Sequence, residues 1–192
     1  CSSDLVGEAP PVEFTWESSC ADALTSFFTD PTVVNINAIA TYAWEFGDGG
    51  QSNLQDPQHM YAAAGDYLVT LTLVDTAGCT NFVTHLVSVS ALPVAFFSYS
   101  EPTCFETETS FTDLSFASTG YITEWEWIFG DGNSTTVTFP NTPHVTHLYA
   151  NSGVYNVTLN IVTSEGCENT VTRQVVVIPN PVANFTDRKS VV

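Results

Sequence analysis

The chain repeats itself: a pattern of aromatic, glycine and aspartate residues occurs twice, about 85 residues apart. Residues 42–49 (YAWEFGDG) return as 125–132 (WEWIFGDG), residues 61–73 as 149–161, and Gly78-Cys79 as Gly166-Cys167. A duplicated module of this length is typical of scaffold and binding units, in which each copy buries a core of its own. The repeat therefore predicts two domains of one design.

The domain boundaries follow from the repeat. We expect the first domain at 11–91 and the second at 92–179, with residues 180–186 opening a third copy, because Pro181-Val-Ala matches Pro93-Val-Ala. Residues 1–5 and 187–192 resemble the two translated ends of a common sequencing adapter. We therefore expect 1–10 to be a non-native or flexible end and 187–192 to be a non-native tail.

The charge balance excludes several partner classes. The 192 residues carry 21 acidic and three basic side chains, a formal net charge of −18. Such a chain has almost nothing with which to neutralise phosphates, so we expect no nucleic acid partner and no docking on anionic lipid. The sequence has no apolar run of about 18 residues, so we expect no membrane insertion of this fragment.

Alternating apolar and polar residues predict strands rather than helices. Val69, Leu71 and Leu73 point to one side of a strand while Thr70 and Thr72 point to the other. Similar segments are 12–16, 26–29, 40–46, 67–74, 81–89, 94–99, 110–113, 122–129, 155–161 and 169–178. Several short strands separated by turn signals predict an all-β fold of two tandem immunoglobulin-like sandwiches.

Four cysteines occupy equivalent places in the two copies: Cys20 and Cys79 in the first, Cys104 and Cys167 in the second. Four cysteines allow three pairings, of which repeat symmetry favours Cys20–Cys79 and Cys104–Cys167. Each bond would close a loop of roughly 60 residues and stabilise the folded state by about 4 kcal/mol. Disulfides persist in oxidising compartments, so the bonds would imply a location outside the cytoplasm. Free or metal-bound thiols are the alternative, although no two cysteines have the C-x-x-C spacing of a metal site.

The ordered motifs W-x-F-G-D-G, H-x-Y and G-x-Y resemble the PKD (polycystic kidney disease) repeat. In the first copy they comprise Trp44, Phe46, Gly47, Asp48, Gly49, His59, Tyr61, Gly65 and Tyr67. In the second they comprise Trp127, Phe129, Gly130, Asp131, Gly132, His147, Tyr149, Gly153 and Tyr155. The resemblance implies extracellular immunoglobulin-like sandwiches that serve as adhesion modules, spacers or accessory domains of secreted hydrolases and are not catalytic alone.

Each motif residue also has a physical interpretation. The Gly-Asp-Gly segments suit tight turns in which the aspartate accepts hydrogen bonds from nearby amides. Trp44 and Trp127 are predicted inside the sandwich, near the proposed disulfides. An exposed aromatic platform for sugar stacking is the rival role, for which the candidates are Trp16, Trp125 and Tyr42.

The polar residues give no catalytic constellation, so we predict no catalytic residues and no enzyme. His59 and His147 recur in both copies, which favours a structural hydrogen bond. No cofactor is expected, with calcium the one ion left open: scattered acids that folding would have to bring together are Asp48, Asp56, Asp75, Asp113 and Asp131.

The sequence therefore predicts non-catalytic adhesion, interaction and spacer modules of a larger secreted or cell-surface protein. Expected partners are other proteins, surface glycans and further repeats of the same chain. The alternative is an accessory segment that attaches an exported hydrolase to a glycan or to collagen.

Overall fold

The computed structural model describes residues 9–17, 20–31, 34–101 and 103–181. The predicted tail 187–192, most of the predicted end segment 1–10, and the third-copy segment 180–186 beyond Pro181 lie outside these residues.

The described residues form strands joined by turns, with one 3₁₀ turn at Ile36–Ala38. The strands of the first copy are β1 (Phe14–Trp16), β2 (Leu24–Thr29), β3 (Ile39–Glu45), β4 (Gln51–Ser52), β5 (Gln58–Met60), β6 (Gly65–Asp75) and β7 (Thr80–Val89). Those of the second are β8 (Phe97–Tyr99), β9 (Thr103–Cys104), β10 (Thr109–Asp113), β11 (Ile122–Ile128), β12 (Ser134–Thr138), β13 (Val145–His147), β14 (Gly153–Thr163) and β15 (Glu168–Ile178). Within the described ranges, no helix has the length and apolar character needed to cross a bilayer.

Each copy is a pair of sheets, which confirms the predicted all-β tandem of sandwiches. The first copy has the strand orders β1-β2-β5 and β4-β3-β6-β7, and the second has β13-β10-β8 and β12-β11-β14-β15-β9. The ladders are antiparallel except that β9 pairs in parallel with β15. A long ladder joins β6 to β7, with Gly65 opposite Val89 and Val74 opposite Thr80.

The alternation of side chains decides which face of each long strand is buried. On β6, Val69, Leu71 and Leu73 are fully buried, whereas Leu68 is 62% exposed. Aromatic rings complete the first core: Phe14, Phe27, Trp44, Phe46 and Tyr61. The matching rings of the second core are Phe97, Phe111, Trp127, Phe129 and Tyr149.

The chain divides into two compact units by its internal contacts. Unit 1 contains the described residues up to Pro93, together with Ala117–Tyr121 and Thr163–Glu168. Unit 2 contains Val94–Phe116, Ile122–Val162 and the residues from Asn169 onward. The turn between β14 and β15 therefore belongs to unit 1, although its two strands belong mainly to unit 2.

Candidate functional site

In the first copy, the Gly-Asp-Gly turn that follows β3 brings three motif residues into contact: Phe46, Asp48 and His59. The Gly50 amide donates a hydrogen bond to Asp48 Oδ1 (2.9 Å), as the sequence predicts. His59 Nε2 donates to Asp48 Oδ2 (2.7 Å) from β5, on the facing sheet. The ring of His59 stacks on Phe46, with centroids 4.2 Å apart and planes 3° apart. The turn thus ties the two sheets together.

The second copy builds the same turn from its own residues. The Asn133 amide donates to Asp131 Oδ1 (3.0 Å), and His147 Nε2 donates to Asp131 Oδ2 (2.7 Å). The His147 ring stacks on Phe129 at 4.0 Å and 3°. Each histidine is held in one orientation by a carboxylate and an aromatic face, so its geometry is that of a structural side chain.

The aspartate pKa values reflect these contacts. Partial burial alone would raise the pKa of Asp48, but hydrogen bonds from His59 and the Gly50 amide outweigh it and hold the pKa below its ordinary 3.8. The same balance, with bonds from His147 and Asn133, lowers the pKa of Asp131. Both carboxylates are therefore ionised in the folded protein at neutral pH.

The first glycine of each turn lies against the backbone of the neighbouring long strand. Gly130 has φ +81°, and a Cβ added there would lie 2.6 Å from the Asn156 carbonyl oxygen. Gly47 has φ +86°, and its added Cβ would lie 2.8 Å from the Leu68 oxygen. Only glycine satisfies both the left-handed backbone and this close approach.

The motif tyrosines complete the turn from inside. Tyr61 Oη donates to the Phe46 carbonyl (3.1 Å), and Tyr149 Oη donates to the Phe129 carbonyl (3.3 Å). Burial raises the pKa of both phenols, which stay protonated. Gly65 and Gly153 each precede a tyrosine that packs on this ring: Tyr67 stacks on Tyr61 and Tyr155 on Tyr149, both at 4.2 Å.

The two motif tryptophans are buried. Trp44 is 1% exposed and its Nε1 donates to the Leu54 carbonyl (2.9 Å), while Trp127 is fully buried and donates to the Pro143 carbonyl (3.1 Å). Their predicted place inside the sandwich agrees with the structure. The disulfides expected beside them within each copy do not form.

The sugar-stacking candidates differ in accessibility. Trp125 is 6% exposed and its Nε1 donates to Asp113 Oδ2 (3.0 Å), so its ring offers no open face. Tyr42 lies on the same face of β3 as Trp44 and is half-buried. Trp16 is 37% exposed, but its ring packs against both Phe14 and His85, with ring centroids 5.9 and 5.8 Å away.

The aspartates considered as calcium ligands accept hydrogen bonds from backbone amides in separate parts of the fold. Asp75 Oδ1 accepts from the Ala77 and Cys79 amides, and Asp56 Oδ1 accepts from the Thr29 amide. Asp113 Oδ1 accepts from the Ser115 amide. In residues 9–17, 20–31, 34–101 and 103–181, no three histidine, cysteine or acidic side chains are grouped as metal ligands.

The cysteine pairing differs from the prediction. Cys20 is bonded to Cys167, with Cα atoms 5.7 Å apart, and Cys104 is a free thiol. Cys79 is also disulfide-bonded. The predicted bonds Cys20–Cys79 and Cys104–Cys167 are therefore wrong: the observed bond connects the first copy of the repeat to the second.

Strand length explains why neither of the two predicted bonds forms. Cys20 pairs with Ser90, just after β7, whereas Cys79 immediately precedes β7. Ten extended residues span about 33 Å, and a disulfide needs Cα atoms within about 7 Å. Cys104, opposite Ile178, and Cys167 are likewise separated by the whole of β15. The pairing prediction used repeat symmetry without this distance.

Sequence reasoning also missed a basic side chain, one in each copy, that packs on the aromatic rings of the core. His85 of β7 bonds to Glu13 and packs on Phe14 at 4.8 Å. Arg173, at the equivalent position of β15, donates to the Phe97 carbonyl and lies over the Phe97 ring at 5.7 Å. Aligning the two copies strand by strand would have paired these positions.

Comparison with known proteins adds the following similarities. The model of the PKD domain family matches residues 7–91 and 90–178. The chain is 41% identical over 91 residues to a microbial collagenase of Vibrio alginolyticus, covering 47% of this chain and 9% of that protein. It is 29% identical over 140 residues to the pre-pro-metalloprotease PrtV of Vibrio cholerae, covering 71% of this chain and 14% of that protein.

Among solved structures, the PKD1 domain of Vibrio anguillarum Epp matches with a TM-score of 0.41 and 24% identity, over 47% of this chain and 99% of that one. The chain spans only a small part of the length of the two curated relatives.

Proposed function

Since this chain belongs to the PKD domain family, we propose that it is a non-catalytic, extracellular spacer and interaction segment of a larger exported protein. The motif side chains support this proposal, because the carboxylates, imidazoles and phenols of both turns are engaged in holding sheets together. Disulfides persist in oxidising compartments, which supports a location outside the cytoplasm.

The bond between Cys20 and Cys167 is the observation that carries the spacer role. It connects the two copies of the repeat at a second place, in addition to the short joint at Leu92-Pro93. Two connections restrict relative motion more than one, because each removes conformations that the other allows. A spacer needs this property in order to hold its flanking regions at a defined separation.

A cleavage experiment tests the covalent tie. A protease recognition sequence inserted between Ala91 and Leu92 allows the purified, oxidised chain to be cut between the copies. The halves should migrate together on a gel without reductant and separate with it. In the Cys167→Ser control they should separate without reductant. Halves of the parent chain that separate while oxidised would refute the tie.

The spacer role needs a further readout on the uncut chain. Small-angle scattering should show a broader distribution of distances for Cys167→Ser than for the parent chain, because the variant keeps only the joint at Leu92-Pro93. Identical scattering would contradict the spacer role. Turnover of collagen, casein or glycans by the purified chain would contradict the non-catalytic assignment.

A second candidate function is attachment of an exported protease to its polymer substrate. The similarities to a collagenase and to a metalloprotease support it. An apolar surface stripe on the first copy also supports it: Leu68, Phe82 and Leu86 are 62%, 65% and 56% exposed on the outer face of β6 and β7. Exposed apolar groups of this kind commonly form interaction surfaces.

The second copy supplies a matched control for this surface. Its equivalent positions hold Asn156, Thr170 and Gln174, all exposed. The triple change L68N/F82T/L86Q therefore gives the first copy the outer face of the second without touching either core. If the stripe mediates attachment, the parent chain should be retained on insoluble collagen or chitin and the triple variant released. Equal retention of both would refute a role for the stripe, and no retention of either would refute attachment to these polymers.

A further inference from the structure

Cys104 occupies the same structural position as Cys20. Each lies in parallel pairing beside the end of the last long strand of its copy, opposite Ser90 for Cys20 and Ile178 for Cys104. The next amide donates to that partner: Ala21 to the Ser90 oxygen and Phe105 to the Ile178 oxygen, both at 2.9 Å. Each cysteine is then followed by a turn with a left-handed residue, φ +58° at Asp22 and +61° at Glu106. We call Cys20 and Cys104 the end cysteines.

Cys79 and Cys167 are equivalent in the same way and are called the hairpin cysteines. Each carbonyl accepts the amide of the residue four positions earlier: Asp75 to Cys79 and Thr163 to Cys167, both at 2.9 Å. A polar oxygen of that earlier residue accepts the cysteine amide in return, at 2.8 Å for Cys79 and 3.0 Å for Cys167. Both hairpin cysteines are oxidised.

One end cysteine shows what this position binds. Cys20 is bonded to the hairpin cysteine of the copy that follows it in the sequence, and the ten-residue β7 keeps it far from the hairpin cysteine of its own copy. Cys104 has the same backbone pairing but is a free thiol. We propose that Cys104 forms a disulfide with the hairpin cysteine of an adjoining third repeat of the same chain, so that successive repeats are joined in series.

The chain after Cys104 has the spacing that this bond requires. In the observed pair, the opening Pro93-Val-Ala begins three residues after Ser90, the strand partner of Cys20. Pro181-Val-Ala begins three residues after Ile178, the strand partner of Cys104. A third copy would therefore start at the same offset from the strand partner of Cys104 as the second copy does from the strand partner of Cys20.

The surroundings of Cys104 leave room for an incoming hairpin. Its thiol is half-buried, and an open recess of about 450 Å³ is lined by its chain neighbour Thr103 and its strand partner Ile178. Tyr99, Glu101 and Val176 complete the recess.

The reaction is a two-step thiol–disulfide exchange with a small-molecule or protein disulfide as oxidant. The Cys104 thiolate attacks one sulfur of the donor, forming a mixed disulfide and releasing one donor thiolate. The hairpin thiolate then attacks the Cys104 sulfur and releases the second. The two protein thiols lose two protons and two electrons, and the donor disulfide is reduced to two thiols.

The test uses a three-repeat chain in which a further copy of residues 93–180 follows Asn180. After folding in an oxidising buffer, the chain is digested without reduction and its disulfide peptides are mapped by mass spectrometry. We expect a peptide joining Cys104 to the added hairpin cysteine, alongside the Cys20–Cys167 peptide. Maleimide labelling of Cys104 should fall about tenfold relative to the two-repeat chain. The added copy's own end cysteine should remain reactive as an internal control.

Two results would overturn the inference: Cys104 still fully labelled while Cys20–Cys167 is intact, or an added repeat whose two cysteines bond to each other. Cys104→Ser provides a second measurement, which should leave the urea midpoint of the two-repeat chain unchanged and lower that of the three-repeat chain. Equal effects in both chains would also refute it. The inference goes beyond the proposed function. The proposed function is tested on the two-repeat chain, whereas this inference is tested on the three-repeat chain, so either can be refuted without the other.

Discussion

The Gly-Asp-Gly turns allow a sharp test of why the repeat needs its first glycine. Gly130 and Gly132 both have left-handed backbones, with φ +81° and +96°. They differ in the room available for a side chain. A Cβ on Gly130 would lie 2.6 Å from the Asn156 oxygen, whereas a Cβ on Gly132 would meet nothing within 4 Å. Alanine at Gly132 therefore measures backbone strain alone, and alanine at Gly130 measures strain together with the close approach to β14.

The two free-energy costs should differ clearly. A left-handed alanine costs about 1 kcal/mol, which is our expectation for Gly132→Ala. The clash at Gly130 is with backbone that belongs to the sheet, so β14 must move, and overpacking of this kind adds about 1–3 kcal/mol. Gly130→Ala should therefore destabilise the second domain by about 2–4 kcal/mol in total.

Urea unfolding followed by tryptophan fluorescence measures this difference. With a slope of about 1 kcal/mol per molar for a domain of this size, the midpoint of the second domain should fall by about 1 M for Gly132→Ala and by 2 M or more for Gly130→Ala. The first copy offers an independent replicate, because Gly47 meets the Leu68 oxygen at 2.8 Å and Gly49 meets nothing. Equal shifts within either pair would refute the close-approach argument.

Three further predictions concern the core, the acid response and the disulfide. Trp127→Phe should lower the unfolding free energy by about 2 kcal/mol in urea titrations, because the partly buried Pro143 carbonyl loses its indole donor, whereas Trp16→Phe, at a partly exposed ring, should cost less than about 0.5 kcal/mol. Because the folded pKa of Asp131 lies below its ordinary 3.8, its stabilisation is complete above the unfolded pKa and is lost as the pH falls through the folded value. Asp131→Asn should therefore be less stable than the parent at neutral pH and converge with it in acid titrations; a constant gap would contradict this. Cys20→Ser should lower the free energy of global unfolding by up to about 5 kcal/mol, since the bond spans a sequence separation of 147; calorimetry that shows no change would rule this out.

The long strands could be predicted because alternation is visible only over enough residues. β6 and β14 each contain eleven residues, so their buried and exposed sides separate clearly in the sequence. β4 and β9 contain two residues each, which is too short to show a period, and neither was predicted. These short strands form because a neighbouring strand supplies hydrogen-bond partners, which is information about the whole fold.

The turn chemistry was predictable and the covalent topology was not. The hydrogen bond from the Gly50 amide to Asp48 is local, so the motif alone predicts it. The partner of Cys20 depends on which end of β7 lies beside it, and the sequence gives that only once the pairing with Ser90 is known. Repeat symmetry alone could not distinguish a bond within one copy from the bond between the two copies that the structure has.

The place of the Cys20–Cys167 bond also decides which residues a stretching force reaches. Tension that enters before Cys20 crosses directly to Cys167 and leaves along β15, so residues 21–166 bear none of the load. Trp44 and Trp127 both lie in this bypassed stretch, so while the bond is intact a pull reaches the two cores only through the strands outside it, β1 and β15. With the bond intact, residues 21–166 add no length to the chain under tension. With the bond reduced, these residues can unfold and extend under the same force.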